Sequence, residues 1–334
     1  MHAPAAERFV LIRPGALGDA LLTFPVLALL RHARPAAHIT LVARGDVLPL
    51  AVASGLADAG WPYDVPMWGA LFVGEPPTSG PARDILASST VVAWLGDDAD
   101  GMLVRNLAAL GAERAAIAPG KPGPDARRHM ALTLAGALSP LAIAVPETPD
   151  ALAALLPPLT PPQEDEREAA AIWRALWLTM DARRMVALHP GSGGAAKRWP
   201  PANFAALAGA LAAVGSRPLL IEGPQDAAIV AEVRAQFEIQ GGGTASAIAG
   251  ARGLDVGALA ALLARCAAYI GNDAGVSHLA GLLGVPTVVL FGPTEPAVWA
   301  PLGSHVHVVR ATTQALGDIT VAEVMAALSE LTPM

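Results

Sequence analysis

One unit recurs along this chain and constrains its fold more than any other feature: a short apolar run rich in β-branched residues, a Gly-bounded turn, then a longer Ala/Leu-rich segment. Residues 9–13, 39–42 and 91–95 have the length and composition of buried strands. The second half repeats the plan at 185–189, 218–222, 268–271 and 287–291, with helical patterns between. Strands that alternate with helices require crossover connections, so the sheets are expected to be parallel and covered on both faces. The chain reads as α/β, with two doubly wound, Rossmann-like domains.

A length of 334 residues agrees, because it suits two domains of about 150 residues each. With 53% apolar and 15% charged residues, both halves can bury a large core. The stretch 139–162 holds Pro140, Pro146, Pro149, Pro157, Pro158, Pro161 and Pro162, and is expected to be the linker. The expected domains are therefore 1–150 and 163–317. A last helix lies in 318–334, opened by a Thr320/Glu323 capping box and free to pack back on the first domain.

A formal net charge of -7 argues against a partner bound through a phosphate backbone, so no nucleic acid is expected. Cys266 is the single cysteine, which excludes an internal disulfide and suits a reducing compartment. Near the N-terminus, Arg13, Pro14 and Asp19 interrupt the apolar stretch, and the uncharged run 20–30 falls short of the roughly 18 residues of a membrane span. A cytoplasmic protein is expected, with peripheral membrane contact left open.

Three motifs stand where open α/β sheets place ligands, at the carboxyl ends of strands. The first is Arg13-Pro14-Gly15-Ala16-Leu17-Gly18-Asp19, a strand-to-helix turn in which Asp19 stands near a helix N-terminus. On local sequence, a capping Asp19 and a chemical Asp19 stand level. The second is Gly271-Asn272-Asp273-Ala274-Gly275-Val276-Ser277-His278, whose turn and helix start suit a pyrophosphate. Taken singly, Asp273 as a cap and His278 as an ordinary buried histidine are the stronger readings. The following strand ends in Gly292-Pro293-Thr294-Glu295-Pro296, at the same sheet edge.

The third motif, His189-Pro190-Gly191-Ser192-Gly193-Gly194-Ala195-Ala196-Lys197-Arg198-Trp199-Pro200, mimics a dinucleotide fingerprint through Gly191, Gly193 and Ala196. Pro200 and Pro201 instead suit a helix that begins after Trp199, leaving a glycine loop whose Lys197 and Arg198 can reach a phosphate, a reading that stands level with a solvated surface loop. Asp98-Ala99-Asp100 resembles a metal-binding DxD but reads better as a solvated acidic loop, and no metal is expected.

Together these motifs resemble glycosyltransferase family 9, the heptosyltransferases, of GT-B architecture with two domains facing a central cleft. The resemblance rests on Val10-Leu11-Ile12-Arg13 with Gly18-Asp19, on Lys197-Arg198-Trp199-Pro200, on Asn272 to His278, and on Gly292 to Pro296. It implies inverting, metal-independent transfer of a sugar, typically from ADP-heptose, to a glycan or lipopolysaccharide-core acceptor at the inner face of the cytoplasmic membrane. Asp19 then falls at the general base and Arg13 near the acceptor. Ser192, Gly193, Lys197, Asp273, Ala274, Gly275 and His278 fall at donor-binding positions. Gln225-Asp226 occupies the turn where the family has a ribose-binding carboxylate, and Gln225 is the candidate there. A nucleotide-sugar epimerase of the same architecture and a non-catalytic nucleotide-sugar-binding protein are the alternatives.

Overall fold

The computed structural model describes residues 6–77, 79–123, 125–176, 184–244 and 248–332; the ends of the first and last expected segments, 1–5 and 333–334, lie outside the described residues. The chain divides into two compact units, Met1–Thr160 and Pro161–Met334.

In the first unit, β1 (Arg8–Ile12), β2 (His38–Ala43), β3 (Ala59–Pro62), β4 (Thr90–Ala93) and β5 (Arg114–Ile117) form a parallel sheet in the order β3-β2-β1-β4-β5. β1 is central: Phe9 lies beside Ile39 on one side and Thr90 on the other. From Phe9 to Ile12 it is buried and reads as an apolar run, as suits a central parallel strand. Val10, Ile12, Val42 and Val91 pack with Trp68, Leu71 and Leu107 into one core. The strand order reverses between β1 and β4, which makes the end of β1 a topological switch point.

The second unit repeats this design with β6 (Met185–His189), β7 (Arg217–Glu222), β8 (Ala249–Arg252), β9 (Ala268–Asn272), β10 (Thr287–Phe291) and β11 (Val306–Arg310), ordered β11-β10-β9-β6-β7-β8 and all parallel. Its switch point lies between β6 and β9. The helix Pro201–Ala213 starts with Pro201 in its first turn, as the two prolines after Trp199 require. Trp199 is fully buried and meets Phe204 edge-on, with ring centroids 5.0 Å apart.

Two expectations are corrected. Most of the stretch expected as linker belongs to the first unit. Thr148 caps the helix Pro149–Ala153 by accepting the Ala151 N–H at 3.2 Å, Leu152 is fully buried, and the Thr160 N–H donates to Ser54 Oγ at 2.9 Å. Proline forbids a helix interior but favours its first turn, and Pro149 stands there. The last helix, Val321–Leu331, is no separate segment either: Val324, Ala327 and Leu328 lie in the core of the second unit. Its Thr320/Glu323 capping box is formed, with Glu323 accepting the Thr320 N–H at 2.7 Å.

Among the described residues no helix is long and apolar enough to cross a membrane. Cys266 is buried in the second unit, its Sγ donating to the Leu262 carbonyl at 3.6 Å, and burial pushes the pKa of its thiol up to about 12.

Candidate active site

At the end of β1, Gly15 takes φ +137°, a conformation L side chains rarely adopt, and a Cβ there would stand 2.7 Å from Asp19 Oδ2. This close approach lets the chain fold back over the helix Leu17–Leu21, where Asp19 is the third residue and Ala16 the N-cap. Asp19 Oδ2 accepts the Ala16 N–H at 3.0 Å, and Oδ1 accepts Arg13 Nη2 at 2.9 Å. Each oxygen keeps a further lone pair, so the carboxylate can hold the backbone and still accept a proton. Its side chain is 27% exposed, against 3% for Arg13.

Arg13, expected beside an acceptor, is thus turned onto Asp19, with Nε also reaching the Asp19 carbonyl at 3.4 Å. The Gly120 backbone closes against it, since a Cβ there would stand 2.7 Å from Arg13 Nη1. Burial lowers the pKa of the guanidinium while Asp19 opposes the shift, and a guanidinium remains charged through such changes. Its geometry suits it to orient Asp19.

In the second unit the turns after β6, β9 and β10 meet at the switch point. Asn272, the last residue of β9, is fully buried and ties two of them together. Its Oδ1 accepts the Trp199 N–H at 3.0 Å, and its Nδ2 donates to the Pro190 carbonyl at 2.9 Å and the Gly191 carbonyl at 3.3 Å. Asp273 follows. Its Oδ2 accepts Lys197 Nζ and Thr294 Oγ1, both at 2.7 Å, while Ser192 Oγ donates to its carbonyl at 3.1 Å. The Asp273 carboxylate therefore does not cap the next helix, Gly275–Leu282, whose N-cap Ala274 supplies no side-chain bond. An uncapped helix start offers free N–H groups, and Lys197, held on Asp273 just before it, adds a positive charge, so the turn is chemically suited to an anion.

The remaining candidates fall into two groups. Gly193 is exposed with open space around it, and Ala274 and Gly275 are half-buried at the helix start. His278 is buried within the helix, and Gln225 is exposed on the turn after β7. That turn's carboxylate, Asp226, points inward: Oδ2 pairs with His189 Nε2 at 3.0 Å and accepts the Gly223 N–H at 3.0 Å. The hydrogen bond from His189 is the largest cause holding the Asp226 carboxyl below its ordinary range, against the opposing effect of burial. Gly191 lies so close over Asp226 that a Cβ would collide with its carboxylate.

The acidic loop before the helix Met102–Ala109 has a structural role. Asp98 accepts the N–H groups of Leu103 at 2.8 Å and Val104 at 2.9 Å, and Asp100 accepts that of Met102 at 3.1 Å. Among the described residues no group of three or more His, Cys, Asp or Glu side chains is placed to hold a metal ion. Three contributors escape sequence reasoning: Asn272, Thr294 and the His189–Asp226 pair. The one available signal is that a polar residue ending a buried parallel strand must find partners, which singles out Asn272.

The pattern of Glycosyltransferase family 9 (heptosyltransferase) matches residues 158–326, half of the chain. Lipopolysaccharide heptosyltransferase 2 of Escherichia coli is 31% identical over 158 residues, covering 47% of this chain and 45% of that protein. The chain thus matches about half the length of this curated relative. Among solved structures, a family 9 glycosyl transferase from Veillonella parvula superposes with a TM-score of 0.78 at 23% identity, covering 97% of each chain. The E. coli ADP-heptose lps heptosyltransferase II gives 0.72 at 20% identity, covering 97% of this chain and 98% of that one. At these identities the superpositions establish the fold, two Rossmann-like units of GT-B type. The family match spans β6 to β11, the strands that position Lys197, Asp273 and the Gly275 helix, and by it the chain belongs to glycosyltransferase family 9.

Proposed function

We propose that the protein is an inverting, metal-independent glycosyltransferase that moves a heptose from ADP-heptose to a glycan or lipopolysaccharide-core acceptor. The observation that supports this best is Lys197, held by Asp273 beside the uncapped start of the Gly275 helix. A diphosphate leaving group needs positive charge. Lys197 has three N–H donors, so it can keep Asp273 and still bind phosphate oxygen. The second unit is the donor side; Ser192, Gly193, Ala274, Gly275, His278 and Gln225 are its further candidates.

The first unit is the acceptor side. In a single displacement, the acceptor oxygen bonds to the anomeric carbon as the bond from that carbon to the diphosphate breaks. Asp19 takes the hydroxyl proton, and the electron pair leaves on the diphosphate. Arg13 orients the Asp19 carboxylate. A lipid-linked acceptor brings the enzyme to the inner face of the cytoplasmic membrane as a peripheral protein.

Calorimetry with ADP tests the reading. Lys197→Ala is expected to weaken ADP by about 1.5 to 3 kcal/mol, the range of a hydrogen bond to a charged group. Wild-type binding is expected to persist in EDTA. Unchanged affinity in the variant would remove Lys197 from the site, and binding lost in EDTA but restored by Mg²⁺ would overturn metal independence. An epimerase would differ in turning over the donor alone.

A further inference from the structure

Beside Asp19 the first unit holds a cavity of about 490 Å³ at the carboxyl ends of β1, β2 and β3. Its wall includes Gly15, whose α-carbon lies against the Asp19 carboxylate, so the cavity adjoins the proposed base. Arg44 and Asp46 follow β2, and Tyr63 and Asp64 follow β3. The volume falls within the range of small-molecule sites, roughly 300–1,000 Å³, and is ample for a pyranose ring.

The charges in this wall decide what it can hold. Among the described residues of this wall Arg44 is the one cation, and Asp46 already binds that guanidinium through two parallel bonds, Nε to Oδ1 and Nη2 to Oδ2, each 2.5 Å. Asp64 adds a second carboxylate. A phosphate or carboxylate entering here would meet two carboxylates and a guanidinium that is already neutralised. A vicinal diol fits the same groups well, because each hydroxyl can donate to a carboxylate and accept from a guanidinium. The Tyr63 N–H donates to the Ala43 carbonyl at 2.7 Å, which fixes the residue beside the end of β2. Burial raises the pKa of its phenol, keeping it a protonated donor.

We infer that this cavity is the acceptor subsite and that it selects an uncharged sugar with vicinal hydroxyls over phosphorylated or carboxylated sugars, with Arg44, Asp46, Tyr63 and Asp64 setting the preference. The inference rests on Asp19 being the base, which places the acceptor at the end of β1.

Saturation-transfer NMR on the full chain tests it, using methyl α-D-glucopyranoside and methyl α-D-mannopyranoside against glucuronate and glucose 6-phosphate. The neutral glycosides are expected to bind at least about tenfold more tightly than the anionic sugars, since juxtaposed like charges oppose binding. Asp46→Asn leaves Arg44 without its carboxylate and should raise glucose 6-phosphate affinity about tenfold, with ADP affinity unchanged. Tyr63→Phe should weaken the neutral glycosides alone. Absence of glycoside binding in the wild type, a preference for the anionic sugars, or indifference to both substitutions in folded protein would overturn the inference. Donor binding by Lys197 and proton transfer by Asp19 are read by ADP affinity and by turnover, so failure of the proposed reaction is distinguishable from failure of this subsite.

Discussion

Asp19 joins two roles in one carboxylate. Oδ2 holds the Ala16 N–H as the backward arm of a helix start, and Oδ1 takes the Arg13 guanidinium. The sequence leaves the structural and the chemical reading level; the geometry makes them compatible, because neither bond exhausts an oxygen. The variant Asp19→Asn separates the roles. An amide has one carbonyl oxygen for two N–H donors and turns an NH₂ toward one of them, so a modest fall in Tm is expected. Turnover should fall by about 10² to 10⁴, the span usual for a positioned base, while ADP affinity stays at the wild-type value. Near-normal kcat in a folded variant would leave Asp19 as a capping residue only. The ion pair itself was not legible in the sequence, since a spacing of six residues across a turn does not say which way a side chain faces.

At the scale of elements, legibility follows burial. Strands β1, β2, β4, β6, β7, β9 and β10 lie inside their sheets and stand out in the sequence as β-branched apolar runs. Of the four edge strands, β3, β5 and β8 read Ala-Gly-Trp-Pro, Arg-Ala-Ala-Ile and Ala-Gly-Ala-Arg, and none of these is recognisable alone, whereas β11, Val-His-Val-Val-Arg, keeps a β-branched run. An edge strand is covered less and needs no continuous apolar run, so its sequence is free to be small, charged or interrupted by proline. The candidate turns follow interior strands, which is why the sequence marks where those turns lie. The sequence marks Asn272 only as a polar end to a buried strand and does not say which turns it joins. Asn272→Ala leaves the Trp199 N–H and the Pro190 carbonyl unpaired in a dry place. A loss of about 2 to 4 kcal/mol of stability is expected, together with weaker ADP binding as the glycine loop loses its tie. Denaturant titration beside calorimetry checks this; unchanged stability would mean that the turns hold their own positions.

For the whole molecule, the two-unit plan is written in the repeated strand-turn-helix pattern, while the transition between units is not. A proline-rich composition looks the same whether prolines open helices or interrupt them, and Pro149 opens one. The division at Thr160 and Pro161 gives each unit its own sheet, and the burial of Cys266 turns that division into something measurable. The only thiol in the chain belongs to the second unit, out of reach and, with its pKa near 12, almost wholly protonated at neutral pH. It is therefore a clock for one half of the protein. An alkylating reagent should label native protein slowly, at a rate set by opening of the second unit, and loosening confined to the first should go unrecorded. Saturating ADP should slow the clock by the factor its binding adds to the stability of that unit, and a rate indifferent to ADP would show that Cys266 is reached without opening the donor side.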